Sequence, residues 1–190
     1  RSVSSAVGAC IVGAWVMPEI VAAFACYAFF HTDGTLNAIL DAIGLDGPAW
    51  LVTFPMLSVI LANIWRGTAF SMMNYNAALA DIPPEIKESA QIDGAGALQS
   101  FFRISLPIIR RTIATNLMLT TLQTLGVFTL IFVMTGGGPG TRSSILPVLA
   151  YQEAFKFSQI GYGSAIATVT LVIGALFSIV YARVLRPEVE

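Results

Sequence analysis

The side chains best able to do chemistry in this sequence are polar groups set within apolar stretches. In residues 113–134 these groups recur in steps that keep them on one face of a helix, which carries Asn116, Thr120, Gln123, Thr124 and Val127. Neutral amides and hydroxyls are suited to hydrogen bonding with solute hydroxyls along a water-filled route. Packing between helices through Thr and Gln is the alternative, and residue chemistry alone favours neither.

Two charges lie deep within apolar stretches. Arg66 is the only cation so placed, and Asn63, Gly67 and Phe70 share its helical face. Its long side chain could snorkel to the inner membrane surface, roughly 10 Å away, or line an internal cavity. Glu19 is the only acid in such a stretch. Because intramembrane charges commonly pair with one another, a Glu19–Arg66 ion pair is a hypothesis that these residue types raise.

Catalytic chemistry is not expected from this chain. His31 is the sole histidine, so neither a histidine-based triad nor a histidine-rich metal cluster can be built. The glycine-rich run at 136–140 lacks the Lys-Ser/Thr pair that completes a phosphate-binding loop. The net charge of −1 argues against a nucleic-acid partner, whose phosphates attract a basic face.

The elements that must position these groups are long apolar segments. Of the 190 residues, 56% are hydrophobic and 11% are charged, and the mean hydropathy is +0.76. Soluble domains carry about 25% charged residues, so soluble, disordered and disulfide-rich secreted classes are excluded. The apolar stretches match the thickness of a bilayer, and only helices suit such a chain. The sequence predicts one all-α transmembrane bundle, 1–190, with four spans at 3–30, 50–73, 113–134 and 162–181.

Four spans place both ends of this chain on one side of the membrane. That side carries Arg1, Lys87, Arg103, Arg110, Arg111, Arg183 and Arg186. The opposite loops, 31–49 and 135–160, carry only Arg142 and Lys156. The positive-inside rule makes the first side cytoplasmic. Each outer loop is predicted to contain one short helix, at 36–43 and at 148–157, and the second loop begins with turns at 135–147.

The cytoplasmic segment 74–111 is too long and too apolar for a simple connector. A helix is predicted to begin at Pro83-Pro84 with Asp81 as its N-cap, and to end at Asp93-Gly94. Its apolar stripe consists of Ile82, Ile86, Ala90 and Ile92. A second helix, with Leu98, Phe101, Phe102 and Ser105 on one face, leads to Pro107.

The polar face of the first of these helices is acidic. Glu85, Glu88 and Asp93 outnumber Lys87, whereas helices that lie in headgroups favour Lys and Arg. Anionic lipid would repel this face. The segment is therefore predicted to contact a protein rather than to lie on the membrane.

The motifs of this segment resemble a known family. Glu88-Ser89-Ala90, Asp93-Gly94-Ala95 and Ile104-x-Leu106-Pro107 are similar to the "EAA" coupling loop of binding-protein-dependent ABC importer permeases, E-A-A-x-x-D-G-A followed by I-x-L-P. Only Ser89 departs from that form, since Ala is usual there. The resemblance implies that Glu88 makes a polar contact with an ATPase cleft, that Ala90 allows close approach and that Gly94 permits the turn.

Further motifs resemble the maltose-type carbohydrate branch of that family. They are Trp65-Arg66-Gly67 with Phe70, the turn Thr135-Gly-Gly-Gly-Pro139, and Ala154-Phe155 with Gly161-Tyr162-Gly163-Ser164-Ala165. The resemblance implies that Thr120, Gln123, Thr124 and Val127 match sugar-contacting positions, and that Gly67 and Phe70 match pathway positions. Family members usually have two more spans, one or both upstream, which agrees with a chain that starts without Met.

The resemblance also implies an assembly in the prokaryotic cytoplasmic (inner) membrane. This chain would be a permease subunit without a cofactor, of the type I importer fold, surrounded by membrane lipid. Its partners would be a second, non-identical permease, two cytoplasmic ATPase subunits that bind ATP and Mg, and an extracytoplasmic solute-binding protein. The expected cargo is a sugar.

Three alternatives to a sugar importer remain open. An ion-coupled carrier needs broken helices or paired midplane carboxylates, and only Glu19 qualifies as a midplane acid. An intramembrane enzyme needs motifs that the apolar stretches lack. The same importer class with a polyol phosphate as cargo is compatible with Arg66.

Overall fold

The computed structural model of the chain describes residue 8 and residues 12–184. All regular elements in that part are helical: α1 (Glu19–Phe30), α2 (Thr35–Ala42), α3 (Trp50–Thr53), α4 (Pro55–Ala80), α5 (Pro84–Ile92), α6 (Ala97–Ser100), α7 (Leu106–Ile108), α8 (Arg110–Leu125), α9 (Thr129–Met134), α10 (Leu146–Tyr151) and α11 (Ile160–Val184). Two π-helical turns, Phe101–Ser105 and Gln152–Lys156, follow α6 and α10. The prediction of an all-α fold is confirmed.

Three of the four predicted spans are interrupted. Residues 12–16 are helical and are separated from α1 by Pro18, since the residue before a proline avoids the helical conformation. Residues 3–7 and 9–11 of that span lie outside the described part. Phe54 separates α3 from α4, and residues 126–128 separate α8 from α9.

The helix boundaries correct the predicted cytoplasmic segment. α4 continues to Ala80, so the connection begins at Asp81 and not at residue 74. Asp81 is the C-cap of α4, whereas Pro83 is the N-cap of α5 and makes no side-chain capping bond. The predicted N-cap role of Asp81 is wrong because the Pro83-Pro84 pair delays the start of α5. The second predicted helix is divided into α6, a π-helical turn and α7.

The core lies where α1, α4, α9 and α10 meet. Small side chains on α1 and α4 allow these helices to approach closely. The core residues are Ala23, Cys26, Phe30, Val59, Ala62, Leu130, Ile131, Met134 and Val148. α9 packs onto α1 and α4, and Val127 and Phe128 of the 126–128 break pack against this core.

Both predicted outer loops are held by side-chain hydrogen bonds. The buried Asn37 amide donates to the carbonyls of Thr32 (2.8 Å) and Pro48 (3.1 Å), and accepts from Trp50 Nε1 at 2.7 Å. In the second loop, Ser143 Oγ donates to Thr135 Oγ1 at 2.8 Å and is also 2.7 Å from the Gly138 carbonyl. The short helices predicted in these loops are present as α2 and α10.

One helix of the described part, Ile160–Arg183, is long and apolar enough by itself to cross a membrane. The interruptions shorten α1 to 12 residues and α8 to 16. α4 has 26 residues, but Asn63 and Arg66 lower its hydropathy. The four-span topology stays a prediction.

Candidate functional site

A cavity of about 960 Å³ lies beside α4 and α8. α4 supplies one wall, and the opposite wall is formed by α8 and the 126–128 break. Trp15 and Glu19, on either side of Pro18, border it as well. The polar and charged side chains around it are Glu19, Asn63, Arg66, Thr68, Ser71, Tyr75, Thr120, Gln123 and Thr124.

Seven of the nine residues predicted to line a solute pathway border this cavity. They are Asn63, Arg66, Gly67, Thr120, Gln123, Thr124 and Val127. Asn63 Nδ2 donates to Thr124 Oγ1 at 3.3 Å, which joins the two walls. Gly67 has open space where a side chain would be. Two distant segments of the sequence therefore converge on one concave surface.

Asn116 lies outside the cavity and is 3% exposed. Its Nδ2 donates to Ser71 Oγ at 2.9 Å and to Tyr75 Oη at 3.0 Å, while its Oδ1 accepts from Asn74 Nδ2 at 2.9 Å. These bonds occupy the amide on both sides. In this structure Asn116 therefore joins α8 to α4, the helix-packing role that was the alternative for this residue.

Phe70 also lies outside the set of cavity-lining residues. Its ring packs on that of Trp15, with the two centroids 4.8 Å apart. Trp15 in turn borders the cavity. Phe70 therefore supports a lining residue instead of facing the open space.

The two charges within the apolar stretches are brought together. Arg66 Nη1 lies 3.4 Å from Glu19 Oε2, and the guanidinium carbon is 6.0 Å from the centroid of the Trp15 ring. This arrangement directs Arg66 to the cavity wall, which favours the lining interpretation over snorkelling. Ion pairing also reduces the cost of holding either charge at this depth.

Two polar atoms next to the cavity are buried without a hydrogen-bond partner among the described residues. They are Arg66 Nε, which can only donate, and Thr120 Oγ1, which can donate and accept. Buried polar groups in native structures are normally satisfied by protein, water or ligand. Both atoms lie within the wall of the cavity and are not exposed at its surface.

Among the polar and aromatic residues that border the cavity, sequence reasoning missed Trp15, Thr68, Ser71 and Tyr75. Ser71 and Tyr75 follow Gly67 at four-residue steps, so helical periodicity could have found them. Trp15 belongs to a segment separated from α1 by Pro18. No local pattern indicates that it approaches Arg66.

The predicted coupling segment forms an exposed turn between α5 and α6. At the end of α5 the Ala95 amide donates to the Ala90 carbonyl (2.9 Å) and the Gly94 amide to the Gln91 carbonyl (3.0 Å), with φ of +79° at Gly94. This is the Schellman arrangement that glycine favours at a helix end. Glu88, Ser89 and Asp93 are exposed.

The apolar stripe predicted along α5 is only partly correct. Ile82 and Ala90 are buried, but Ile86 is more exposed and Ile92 is 86% exposed. Ile92 points away because it is two positions beyond Ala90, about 200° around the helix. Ala90 is 5% exposed, so its side chain packs within this chain, and the close approach of an ATPase at Ala90 stays a prediction.

The remaining motif residues of the segment lie near the start of α8. Ile104 is in the π-helical turn, and Leu106 and Pro107 are in α7. Ile104 and Leu106 are half-buried and Pro107 is exposed. They connect the exposed turn to the helix that forms one wall of the cavity.

The family of binding-protein-dependent transport system inner membrane components has a model that matches residues 1–189. The chain belongs to this family. The resemblance found from the coupling-loop motifs is thereby confirmed, and the family is a transport component of the inner membrane rather than an enzyme.

Relatives of the chain in this family have sugar-related names. The chain is 33% identical over 177 residues to the sulfoquinovosyl glycerol transport system permease protein SmoG of Agrobacterium fabrum, covering 92% of this chain and 58% of the relative. It is 34% identical over 175 residues to the trehalose/maltose transport system permease protein MalF of Thermococcus litoralis, covering 90% and 59%. The chain thus spans less than two thirds of these relatives.

A solved structure has the same fold. It is a bacterial ABC transporter involved in the import of the acidic polysaccharide alginate, with a TM-score of 0.86 and 25% identity. The similarity covers 100% of this chain and 68% of that chain. The interrupted helices are therefore compatible with an importer subunit.

Proposed function

We propose that this chain is an integral-membrane permease subunit of an ATP-driven sugar importer. The observation that carries the proposal is the convergence of seven predicted pathway residues on one cavity. Amide and hydroxyl groups provide most of its uncharged polar lining, as expected for a solute with many hydroxyls. The sugar-transport names of the relatives support the same class of cargo.

We propose further that the turn between α5 and α6 couples this subunit to an ATPase. The turn has an exposed acidic surface around Glu88 and Asp93, and its Schellman end keeps it compact. A rigid element of this kind transmits a rigid-body motion of a docked partner to the helices that follow it. ATP and Mg would be bound by the partner ATPases, with no cofactor in this chain.

The proposed assembly contains four kinds of component. This subunit pairs with a second, non-identical permease, two ATPases dock on the cytoplasmic side, and a solute-binding protein delivers the sugar from outside. The family description supports dependence on a binding protein and placement in the inner membrane. Four spans with both ends of the chain in the cytoplasm complete the proposal.

The source of energy provides the test. The assembled transporter is reconstituted in proteoliposomes with its binding protein, and uptake of radiolabelled trehalose and maltose is measured. Uptake is expected with ATP enclosed on the ATPase side and without any ion gradient. A matched preparation containing a non-hydrolysable ATP analogue should take up neither sugar. Uptake that follows a proton or sodium gradient in the absence of ATP would contradict the proposal.

A further inference from the structure

The charged groups at the cavity cancel one another. Among the described residues that border it, only Glu19 and Arg66 are charged, and their closest atoms are 3.4 Å apart. Their side chains retain 35% and 23% exposure respectively. A solute in the cavity therefore meets an ion pair of zero net charge instead of a free guanidinium.

Arg66 is held from two sides. Glu19 contacts one guanidinium nitrogen, and the ring of Trp15 lies 6.0 Å from the guanidinium carbon. A positively charged guanidinium is attracted both to a carboxylate and to the face of an indole. The head group is therefore positioned within the wall, and its Nε–H has no partner among the described residues.

This pair distinguishes hydroxyls from anions. A hydroxyl can accept a hydrogen bond from Arg66 and also donate one to the Glu19 carboxylate, whereas a carboxylate, sulfonate or phosphate can only accept when ionised. An anion near Arg66 would also lie within a few Å of the Glu19 charge. At such distances like charges repel strongly in a medium less polar than water.

We propose that Glu19 is a specificity residue that neutralises Arg66 and so makes the cavity selective for uncharged glycans over anionic ones. The inference deepens the proposed sugar-import function and rests on it. A solved structure with a similar fold is named for an acidic polysaccharide, and a sequence relative is named for trehalose and maltose. The charge of the cargo is thus a property that the family varies, and the ion pair sets it in this chain.

The test measures which small glycosides occupy the cavity of the complete, purified transporter without its binding protein. Ile60 borders the cavity and is 44% exposed, so Ile60→Cys serves as a reporter after Cys10 and Cys26 are replaced by Ala. Maleimide labelling is followed with methyl glucoside, methyl glucuronide or protonated methyl glucosaminide present. These probes differ at one functional group. A ligand at twice its dissociation constant slows labelling about threefold.

The expected pattern has opposite signs for the two single variants. With Glu19 and Arg66 intact, methyl glucoside protects the cysteine and the two charged glycosides do not. Glu19→Gln exposes a free cation and extends protection to the glucuronide. Arg66→Gln leaves a free anion and extends protection to the glucosaminide instead. In the double variant, which has neither charge, methyl glucoside alone protects the cysteine.

Two controls isolate the ion pair. Asp33→Asn removes an acid whose side chain is 92% exposed in the outer loop and should leave the pattern unchanged. A cysteine in place of Ile43, which is 67% exposed and outside the cavity lining, should not be protected by any probe.

Each remaining outcome has a defined meaning. Two results would overturn charge selection but leave the sugar cavity in place. The first is protection by the glucuronide with the ion pair intact. The second is unchanged selectivity in Glu19→Gln and Arg66→Gln while methyl glucoside still protects. If none of the glycosides protects in any variant, the sugar cavity itself is overturned. If Glu19→Gln does not assemble, the glycosides that protect the cysteine in the Arg66→Gln and double variants decide whether the ion pair sets charge selectivity.

Discussion

Glu88 projects from the exposed side of α5, one turn before the Schellman end of that helix. If this side docks on a basic cleft of an ATPase, Glu88→Lys reverses the charge at the contact. We expect a loss of about 1.5 kcal/mol or more in docking free energy, roughly tenfold in affinity. The measurement is recovery of the ATPase when the tagged permease is purified.

Glu85→Lys is the matched control for Glu88. It makes the same change of charge on the same helix, but in the first turn, about one helical turn away. A smaller loss is expected there. Equal loss of ATPase binding with both variants would indicate a general electrostatic effect of the acidic surface. Full recovery of the ATPase with Glu88→Lys would show that Glu88 is not part of the contact.

Asn116 and Thr120 show how far residue patterns determine the candidate site. Both occupy the polar face of α8 that the sequence predicts, one turn apart. The Asn116 amide is occupied because Ser71, Asn74 and Tyr75 lie at its level on α4. Thr120 borders the cavity, and its hydroxyl is buried with no partner among the described residues. Periodicity predicts the face of a helix on which a residue lies, but not which side chains of a neighbouring helix lie opposite that residue.

Among the elements, the turn after α5 depends on one backbone conformation. The φ of +79° at Gly94 costs a residue with a Cβ about 1–2 kcal/mol. Gly94→Ala should therefore lower ATP-driven uptake severalfold while leaving the amount of protein in the membrane unchanged. Both quantities are measured in the same proteoliposomes, by radiolabelled sugar and by immunoblot.

Gly96→Ala is the control for this turn. Gly96 has a φ of −67°, and an added Cβ would meet nothing within 4 Å. Its uptake should remain close to that of the unmodified protein. If both alanine variants retain full uptake, the left-handed turn is not needed for coupling.

The packing of α10 against α11 depends on Gly163. A Cβ at this position would lie 2.6 Å from Ala154 Cβ and 2.7 Å from the Ala150 carbonyl oxygen. Gly163→Ala should destabilise the protein by about 1–3 kcal/mol, a typical cost of overpacking. The midpoint of thermal unfolding in detergent should fall. Gly161→Ala, two residues earlier and with no atom within 4 Å of the added Cβ, should leave it unchanged.

The sequence predicts where helices occur more securely than where they are interrupted. Hydropathy locates the apolar stretches, and the Pro83-Pro84 pair marks the start of α5. The predicted span 3–30, however, runs through Pro18, where the structure has an interruption. The separation of α8 from α9 has no proline, and Gly126 alone is a weak signal because isolated glycines also occur within helices. α9 packs on α1 and α4, and such contacts between distant segments are not contained in a local pattern.

For the whole molecule, the predicted topology places the α5–α6 turn and the second outer loop on opposite sides of the membrane. Gln99→Cys and Thr141→Cys, both at exposed positions, report these sides in a background without other cysteines. An impermeant maleimide applied to intact cells should label Thr141→Cys directly, and Gln99→Cys only after permeabilisation. Labelling of both in intact cells, or the reverse pattern, would contradict four spans with a cytoplasmic coupling segment.

The gap between α8 and α9 has a consequence for how this molecule can change over evolution. Gly126 and Val127 at this break border the cavity, and their amides close the end of α8 by bonding to the Leu122 and Thr124 carbonyls. Hydrogen bonds between main-chain groups persist whatever side chains mutate around them. Cargo preference can then diverge through a few replacements on α4 and α1, while the backbone of the opposite wall keeps its form.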